Sequence, residues 1–503
     1  MPPSSGWAPP CRRRCRSRFS WHPRNGISPP IIITGTKLRD QSLRGHIANL
    51  EQQGELIRIT KEADPSENVA AIGWKAYDQL GKATLFTNLK GYPGWELVNQ
   101  VITDRRKWSI ALGIEEDKLI PSLVDRIKRQ VKPVEVGRDT APVKEVILHG
   151  ADADLTKIPA MWHAEKDHGR YIASGMAIIK DPETGIRNMS IHRQQIMGPD
   201  RTGFLICPRH ALRIYQKYQE RNEPMPVAMV IGAHPAIYYA SGFTSSYGLD
   251  ELEIAGSLID DPIRLVKCET IDIEVPAEAE LVIEGEILPE GMIPEGPFGE
   301  ATGTYAMEGS TEIFRVKCIT HRKNPVFYAM QCGAPMTDTQ SITGTCIETV
   351  VTDHLRNVEG GFDLLDVRLL GISGLMAIVL KMRPRIEGQA KTALMAALSS
   401  PYLHPKFAIA VDEDIDASDL RQIFWSITTR VHASRDVVKV PNTRIWSLDN
   451  VSDIVPGMSA MYRIGTKLII DATKPPPSSP ERDRFEMAMP RNLKNVDLAD
   501  FLP

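Results

Sequence analysis

The pattern of hydrophobic and polar positions divides the chain into three stretches. Between about residues 40 and 140, apolar positions at helical spacing alternate with short apolar runs, a pattern typical of an α/β unit. The elements predicted there are a helix through Leu43, Ile47 and Leu50 that ends at Gly54, a strand over 56–60, a helix over 67–80 and a strand over 83–89.

The middle of the chain is rich in short β-like runs separated by turn sequences. Many strands joined by short turns indicate a barrel or a sandwich. The predicted strands cover residues 172–180, 186–197, 204–207, 227–231, 263–268, 271–275 and 280–286, and the predicted helices cover 210–219 and 250–259.

The last third returns to an α/β pattern, so the predicted fold class is α/β at both ends with a β-rich centre. The apolar run over 369–380 is shorter than the roughly 18–20 residues that a membrane-spanning helix needs. We expect it to be a buried strand region. The other predicted elements are a strand over 407–411, a helix through Leu420, Ile423 and Ile427 capped by Asp416 or Ser418, a strand over 437–440 and a proline-rich linker over 474–480.

Composition narrows the class of protein. The 503 residues are 42% hydrophobic and 24% charged, which excludes a mostly disordered, collagen-like or coiled-coil chain. With 60 basic and 63 acidic residues, the net charge of −3 favours neither nucleic acid nor an anionic membrane as a partner. The seven cysteines are scattered and form no CxxC pair, which indicates a reducing compartment and argues against a zinc ribbon.

Residues 1–39 differ from the rest of the chain. They contain many arginines, frequent prolines and serines, and no acidic residue. This composition is that of an organelle transit peptide. Because so many prolines prevent an amphipathic helix, an extension from an upstream start codon is the favoured interpretation.

Glu295 and Glu300 bracket a Gly-Pro-Phe-Gly segment. Glycine permits unusual backbone torsions and proline stiffens the chain, a combination that would fix two carboxylates in one cleft. Two close carboxyl groups suit proton transfer. From spacing alone, a surface turn with two solvated acids is the commoner interpretation.

Residues 188–193 form a second candidate. In a strand, Asn188, Ser190 and His192 would share one face, and Arg193 would lie on the other, among apolar residues. A buried arginine needs a carboxylate or phosphate partner. Asparagine and histidine can also bind metals, although a structural hydrogen-bond network is the more ordinary interpretation.

Arg209 and His210 begin a predicted helix, a position that suits a phosphate but also a histidine that caps the turn. Both interpretations stay open. Glu251 opens another predicted helix, where an acid is ordinary compensation of the helix dipole. We interpret the acidic run over 412–416 as caps and solvated charge rather than as a metal site.

Taken in chain order, these pieces resemble the UbiD family of prenylated-FMN-dependent (de)carboxylases. The resemblance covers about residues 40–473, and the ordered set of motifs is far more specific than any one of them. The motifs are residues 188–193, Pro208-Arg209-His210, Glu251 in Gly-Leu-Asp-Glu-Leu, 265–269, 295–300, 412–416 and 423–430.

The resemblance implies a homodimer or homohexamer whose tail helps to assemble it, and a flavin prenyltransferase as the supplier of the cofactor. The charge balance and the short apolar runs predict no nucleic-acid partner and no stable membrane insertion. The implied domains are a disordered or targeting-like extension over 1–39, an N-terminal α/β domain over 40–140, a flavin-reductase-like split β-barrel over 141–335 that binds prenylated FMN, a C-terminal α/β domain over 336–473, and a linker and tail over 474–503.

Members of the family decarboxylate aromatic, heteroaromatic or α,β-unsaturated acids through a covalent adduct with prenylated FMN, and they run in reverse at high CO2. By position, Arg193, Glu295 and Glu300 match the family's catalytic set. Glu300 would be the proton donor. Arg193 and Glu295 would orient the substrate and support the active state of the cofactor.

The resemblance also implies a metal site. Asn188, His210 and Glu251 match residues that hold Mn2+ or Mg2+ on the cofactor phosphate, and Ser241 matches a nearby K+ site. Ile186, Phe243 and His192 depart from cinnamate-type members, so an aromatic or heteroaromatic acid is implied at least as strongly. The implied cofactor-binding residues are Asn188, Ser190, Ile191, His192, Arg193, Arg209, His210, Glu251 and, by a looser match, Lys406.

A second class of function is a non-catalytic cofactor-binding or partner subunit of a related carboxylase complex. The presence of Arg193, Glu295 and Glu300 together argues against it. The implied location is the cytoplasm, or the mitochondrion if residues 1–39 are a transit peptide.

Overall fold

The computed structural model describes residues 40–306, 308–333, 337–358 and 362–502. Residues 1–39 lie outside these ranges, so both interpretations of that segment stay predictions. Within the described ranges, no helix is both long enough and apolar enough to cross a membrane. The five cysteines in this part of the chain form no disulfide.

The first region has the helices and strands that its hydrophobic pattern predicts. Ser42 caps the first helix, because its hydroxyl accepts the Gly45 N–H at 3.0 Å. The second helix ends at Gly81 in the left-handed conformation, with φ of 70°. The elements are α1 (Leu43–Gln52), β1 (Leu56–Ile59), α2 (Val69–Leu80), β2 (Ala83–Phe86), β3 (Glu96–Asn99), α3 (Arg105–Leu112) and α4 (Leu119–Arg126).

The middle region is strand-rich, as predicted, and it contains three helices. Its strands are β4 (Val134–Glu135), β5 (Val146–His149), β6 (Tyr171–Ile172), β7 (Met176–Lys180), β8 (Arg187–Ile191), β9 (Gln194–Ile196), β10 (Arg201–Phe204), β11 (Met225–Ile231), β12 (Arg264–Lys267), β13 (Glu274–Pro276), β14 (Leu281–Glu295), β15 (Phe298–Gly299), β16 (Tyr305–Ala306), β17 (Gly309–His321) and β18 (Val326–Tyr328). Its helices are α5 (His210–Glu220), α6 (Pro235–Gly242) and α7 (Glu251–Ile259).

Nine of these strands form one antiparallel sheet in the order β6-β9-β10-β17-β14-β11-β7-β8, with β5 beside β17. Only His192 and Arg193 separate β8 from β9, yet the two strands lie six positions apart in the sheet. A flat sheet would put them about 29 Å apart, whereas three Cα–Cα steps cover at most about 11 Å. The sheet must therefore curl until its ends meet. We call the crossing at His192 and Arg193 the seam.

The seam corrects one prediction. The sequence predicts a single strand over 186–197, but the chain leaves β8 after Ile191 and enters β9 at Gln194. The alternation of side chains therefore ends at Ile191, because His192 and Arg193 are outside both strands.

Two short strands connect the regions. β18 pairs with β3, so the first sheet has the order β1-β2-β3-β18. β4 pairs with β12 in a three-stranded sheet that also contains β13. A buried core joins the regions as well, and within it the ring of Trp108 in α3 packs edge-on against Tyr239 in α6 at 5.9 Å.

The last region has the predicted α/β pattern around a six-stranded sheet of order β19-β20-β21-β24-β22, with β23 beside β24. The pairs β20–β21 and β21–β24 are parallel. Its elements are α8 (Asp338–Arg356), β19 (Leu364–Leu369), β20 (Ala377–Met382), α9 (Gln389–Leu398), β21 (Phe407–Val411), α10 (Leu420–Arg430), α11 (Ala433–Asp436), β22 (Val437–Ile445), β23 (Asp453–Ile454) and β24 (Arg463–Asp471).

Two details of this region differ from the sequence predictions. The apolar run over 369–380 is not one strand: it joins the end of β19 to β20 through a 3-10 turn at Gly371–Ser373. The predicted caps of α10 are wrong, since Asp419 accepts the Arg421 N–H at 2.9 Å. Asp416 instead accepts from Ser418 one turn earlier.

The start of the tail is held on the last region by charges. Lys474 Nζ lies 3.3 Å from Asp414 Oδ2, and Arg482 lies 3.3 Å from Asp412 Oδ1. Arg430 in α10 binds Asp414 and also donates to the Phe485 carbonyl at 3.0 Å. These contacts therefore bind the chain to the last region as far as residue 485.

Candidate active site

Arg193 lies at the seam and bridges the two glutamates that the sequence singles out. Its Nε and Nη2 donate to the two carboxylate oxygens of Glu295 at 2.9 and 2.7 Å, and its Nη1 donates to Glu300 Oε1. The three side chains are 11%, 4% and 13% exposed, in that order. We call Arg193, Glu295 and Glu300 the arginine cluster; it joins residues more than 100 positions apart.

The segment between the glutamates is fixed by its backbone. Gly296 has φ of 88°, a conformation that glycine tolerates and side chains disfavour. Its N–H donates to Gln195 Oε1 at 3.3 Å, and the Gly299 N–H donates to Asp167 Oδ1 at 2.8 Å. Burial raises the pKa of Asp167. Two buried acceptors therefore hold the loop that connects Glu295 to Glu300.

Aromatic rings cover the arginine. The Arg193 guanidinium lies 5.1 Å from the centre of the Phe298 ring, and the Tyr171 ring lies 4.4 Å from Phe298 on centroids. Tyr171 donates its hydroxyl to Gln195 Oε1 at 3.1 Å. Burial and the Glu295 charge raise the pKa of Tyr171, so the phenol stays protonated. The cluster is thus largely shielded from water.

A second group lies where β8 meets the start of α7. Asn188 Nδ2 donates to Glu251 Oε1 at 3.0 Å, and the Met189 N–H donates to Glu251 Oε2 at 2.7 Å. Ser245 donates to Glu251 Oε1 at 2.9 Å. Arg187 binds Asp250, the cap of α7, at 2.6 Å, so neighbouring residues of β8 hold neighbouring residues of the helix.

We call Asn188, His210 and Glu251 the asparagine cluster, since Asn188 binds Glu251 and shares a cleft with His210. Asn188 and His210 line one small cleft with Tyr247, whose ring packs edge-on against the imidazole at 5.3 Å. Burial, with the charges of Arg209 and Arg213, lowers the pKa of His210.

The asparagine cluster contains two features that suit a cation. Asn188 Oδ1 is buried and accepts no hydrogen bond from the described residues. Glu251 is 2% exposed and makes no ion pair within the same ranges, and burial raises its pKa to about 7. No group of three or more His, Cys, Asp and Glu side chains in the described part of the chain is arranged to hold a metal ion.

Four other predicted cofactor-binding residues lie between or beside the two clusters. Ser190 bonds His192 Nε2 at 2.8 Å, and the His192 ring stacks on Phe204 at 4.8 Å. Burial lowers the pKa of His192. Ile191 ends β8, and Arg209 donates to Thr244 at 2.7 Å.

No hydrogen bond in the described part of the chain joins Ser241 or Lys406 to either cluster. Ser241 donates to the Tyr238 carbonyl at 2.8 Å within α6, a helix that packs on β8 and α7. Lys406 Nζ lies 2.9 Å from both carboxylate oxygens of Asp449.

The structure also adds residues that the sequence reasoning missed. Tyr171, Gln195, Asp167 and Ser245 hold the two clusters, but they belong to none of the motifs, although Gln195 closely follows Arg193 and Ser245 shortly precedes Glu251. Phe298 lies inside the Gly-Pro-Phe-Gly segment, and its place beside glutamates was the one available signal.

Comparison with known proteins gives three consecutive family matches. The profiles describe the N-terminal domain of 3-octaprenyl-4-hydroxybenzoate carboxy-lyase over residues 47–127, its Rift-related domain over 134–335 and its C-terminal domain over 341–472. A phenolic acid decarboxylase of Bacillus subtilis is 32% identical over 451 residues, which cover 86% of this chain and 93% of the relative. That of Sedimentibacter hydroxybenzoicus is 31% identical, with 90% and 95% covered.

Solved structures with the same fold include two enzymes. The UbiD-class enzyme HmfF from Pelotomaculum thermopropionicum, solved with FMN, is 36% identical with a TM-score of 0.84, covering 92% of this chain and 100% of that one. The 3,4-dihydroxybenzoic acid decarboxylase AroY of Klebsiella pneumoniae, solved without ligand, is 28% identical with a TM-score of 0.82, covering 92% and 99%.

Proposed function

The chain belongs to the UbiD family of carboxy-lyases, and we propose that it catalyses the reversible, non-oxidative decarboxylation of an aromatic, heteroaromatic or α,β-unsaturated acid with bound prenylated FMN. The observation that carries the proposal is the arginine cluster: one buried guanidinium between two carboxyl groups. Relatives named phenolic acid decarboxylase and a neighbour solved with prFMN support the reaction type and the cofactor.

Loss of CO2 from an sp2 carbon leaves an electron pair that no protein side chain can accept. When bound, the prenylated flavin supplies that electron sink. The chain's own task is then to place the acid, to exclude water and to return a proton to the carbon.

In this proposal Glu300 donates the proton to the carbon that has lost CO2. Arg193 offers one positive charge to two carboxyl groups, so the buried set is neutral when one of them keeps a proton. Since Glu295 takes two guanidinium hydrogen bonds and Glu300 takes one, Glu300 is the better placed to hold it. Its Oε1 faces Arg193, and its Oε2 accepts the Ala301 N–H at 3.3 Å, so Oε2 keeps a second lone pair for the proton.

Arg193 and Glu295 orient the substrate. The two-point hydrogen bond between them fixes the guanidinium plane, and Phe298 covers its face. A fixed donor can hold a carboxylate substrate beside Glu300, and the buried rings of Phe298 and Tyr171 keep water away.

The asparagine cluster is the proposed site of a divalent ion, Mn2+ or Mg2+, on the cofactor phosphate. Asn188 Oδ1 and the Glu251 carboxylate are hard oxygen ligands without a cationic partner in the described structure, and His210 borders the same cleft. From Asn188 to Arg193 an extended chain spans at most about 17 Å, so one bound molecule can reach both clusters. Ser190, Ile191 and His192 would flank it.

Arg209 and Lys406 are the other two proposed contacts of the cofactor. Arg209 borders His210, and Lys406 would have to share its charge with Asp449. A K+ site at Ser241 is proposed from the resemblance alone.

Partners follow from the same proposal. A flavin prenyltransferase would supply the cofactor, and the protein would assemble as a homodimer or homohexamer; an evolved form of HmfF is described as dimeric. The proposed domain limits are those implied by the resemblance. A non-catalytic partner subunit is not favoured, because it has no need of a buried arginine between two acids.

The first experiment is mass spectrometry of the flavin released from protein co-expressed with a flavin prenyltransferase. We expect the mass of prenylated FMN, followed by CO2 release from an acid in a panel of 3,4-dihydroxybenzoate, vanillate, cinnamate and a five-membered heteroaromatic acid. Plain FMN, or no flavin, in folded protein that releases no CO2 would overturn the proposal.

A further inference from the structure

Strands β15 and β16 pair as a hairpin over residues 298–306, and its backbone is hydrogen-bonded on both sides of Glu300. Before Glu300, the Gly299 N–H donates to Asp167 Oδ1 at 2.8 Å. After it, the Ala301 carbonyl accepts from Gln340 Nε2 at 2.7 Å. The backbone on each side of the proposed proton donor is thus hydrogen-bonded to a buried side chain.

Gln340 has a fixed orientation. It lies in the first turn of α8, is 1% exposed, and accepts the N–H of the cap residue Thr337 on Oε1 at 2.8 Å. Its Oε1 also accepts the Thr337 hydroxyl at 3.4 Å, and its Nε2 donates to a backbone carbonyl, so the amide can satisfy these partners in one orientation only. The start of α8 and the residue after Glu300 are therefore connected through one amide group.

The turn of the same hairpin touches the last region at two more points. Asn450 Nδ2 donates to Thr304 Oγ1 at 2.9 Å. Gly374 packs so closely that a Cβ there would lie 2.6 Å from the Thr302 carbonyl oxygen. These two contacts are made at the turn, whereas the hydrogen bond from Gln340 is made at the residue that directly follows Glu300.

We propose that Gln340 is a positioning residue that sets the place of Glu300 through the Ala301 carbonyl. The proposal rests on the proposed role of Glu300 as proton donor. Because proton transfer requires an oxygen within hydrogen-bond reach of the carbon, a small displacement of the hairpin slows the reaction without weakening substrate binding.

Gln340→Glu separates this role from the stability of α8. The carboxylate still accepts the Thr337 N–H, as in an ordinary capping box, but presents an oxygen to the Ala301 carbonyl instead of a donor. Gln340→Met removes both bonds without adding a charge. Thr337→Ala is the matched control, because it weakens the same helix start and keeps the bond to Ala301.

Two measurements test the proposal. We expect kcat of both Gln340 variants to fall about 10-fold or more with KM within about 2-fold, on whichever acid of the panel the wild type decarboxylates. We also expect unchanged flavin content, and faster hydrogen exchange in the 298–306 segment. Thr337→Ala should change neither kcat nor exchange there.

Unchanged kcat and exchange in the Gln340 variants would overturn the proposal. An equal loss of kcat in Thr337→Ala would also overturn it, since the effect would then belong to the helix. Failure of the proposed function is distinguishable: it would show as an active Glu300→Gln variant, while hydrogen exchange would still report whether Gln340 holds the hairpin.

Discussion

The two clusters at the ends of residues 188–193 are built around the same kind of acid, yet they differ in charge balance. In the arginine cluster the two carboxyl groups share one guanidinium. In the asparagine cluster Glu251 is more deeply buried but accepts only from neutral groups.

The difference separates a proton site from a cation site. A buried acid beside an arginine is stabilised by the chain itself, whereas a buried acid among neutral donors costs free energy until a proton or a cation arrives. We therefore expect the arginine cluster to be stable without a ligand. The stability of the asparagine cluster should depend on the proton or cation that it binds.

The largest expected effect is on catalysis at the arginine cluster. Glu300→Gln keeps the shape and one acceptor for Arg193 but removes the acid, so we expect CO2 release to fall about 100- to 10,000-fold with flavin retained. Steady-state CO2 release and flavin absorbance measure the two properties. Glu286→Gln, the same change on β14 at an ion pair with Lys317, is the control and should stay active.

The next effect is on stability. Arg193→Leu leaves the buried Glu295 carboxylate and the Glu300 carboxyl group without their partner, and we expect the free energy of unfolding to fall by about 3–5 kcal/mol. Urea denaturation measures it. Arg58→Leu removes a comparable two-point pair with Glu51 that is exposed to solvent, and a much smaller loss is expected there. Equal losses in the two variants would contradict the buried character of the cluster.

The asparagine cluster should respond to pH instead. Burial raises the pKa of Glu251 from its ordinary 4.5 to about 7 in the metal-free fold. The folded protein then binds more protons than the unfolded chain between these values, so stability is present at low pH and is lost as pH rises through 7. The loss attributable to this group is about 3 kcal/mol.

Denaturation of EDTA-treated protein at pH 5 and pH 8 measures this loss. Glu251→Gln should be the more stable protein at pH 8 and should bind neither Mn2+ nor flavin tightly. Added Mn2+ should restore the stability of the wild type at pH 8 and leave the variant unchanged. Parallel pH curves for the two metal-free proteins would show that Glu251 is not the cause.

Local elements were predictable because their signals are local. The strand over 407–411 and the helix that starts at His210 follow from runs of apolar residues and their spacing. The predictions fail where long-range geometry decides: no periodicity shows that the chain crosses between the ends of a curled sheet at His192 and Arg193.

The site was predictable only in part, because long-range geometry also decides which of its residues come together. Spacing alone left Glu295 and Glu300 as possible solvated acids, and the resemblance was needed to associate them with Arg193. The supports of the site, Asp167 and Gln340, could not be found, because each reaches the hairpin from a different part of the chain through a backbone contact that no motif encodes.

The smallest expected effect concerns Lys406, which the resemblance assigns to the cofactor phosphate. Its ammonium lies 2.9 Å from both Asp449 oxygens, so much of its charge is already used. We expect Lys406→Met to weaken FMN binding only about 5-fold, measured by fluorescence quenching on FMN titration. Asp449→Asn sharpens the test, because it releases the charge of Lys406 without removing it. Tighter FMN binding in Asp449→Asn would support a phosphate contact, whereas unchanged binding in both variants would make Lys406 a structural partner of Asp449.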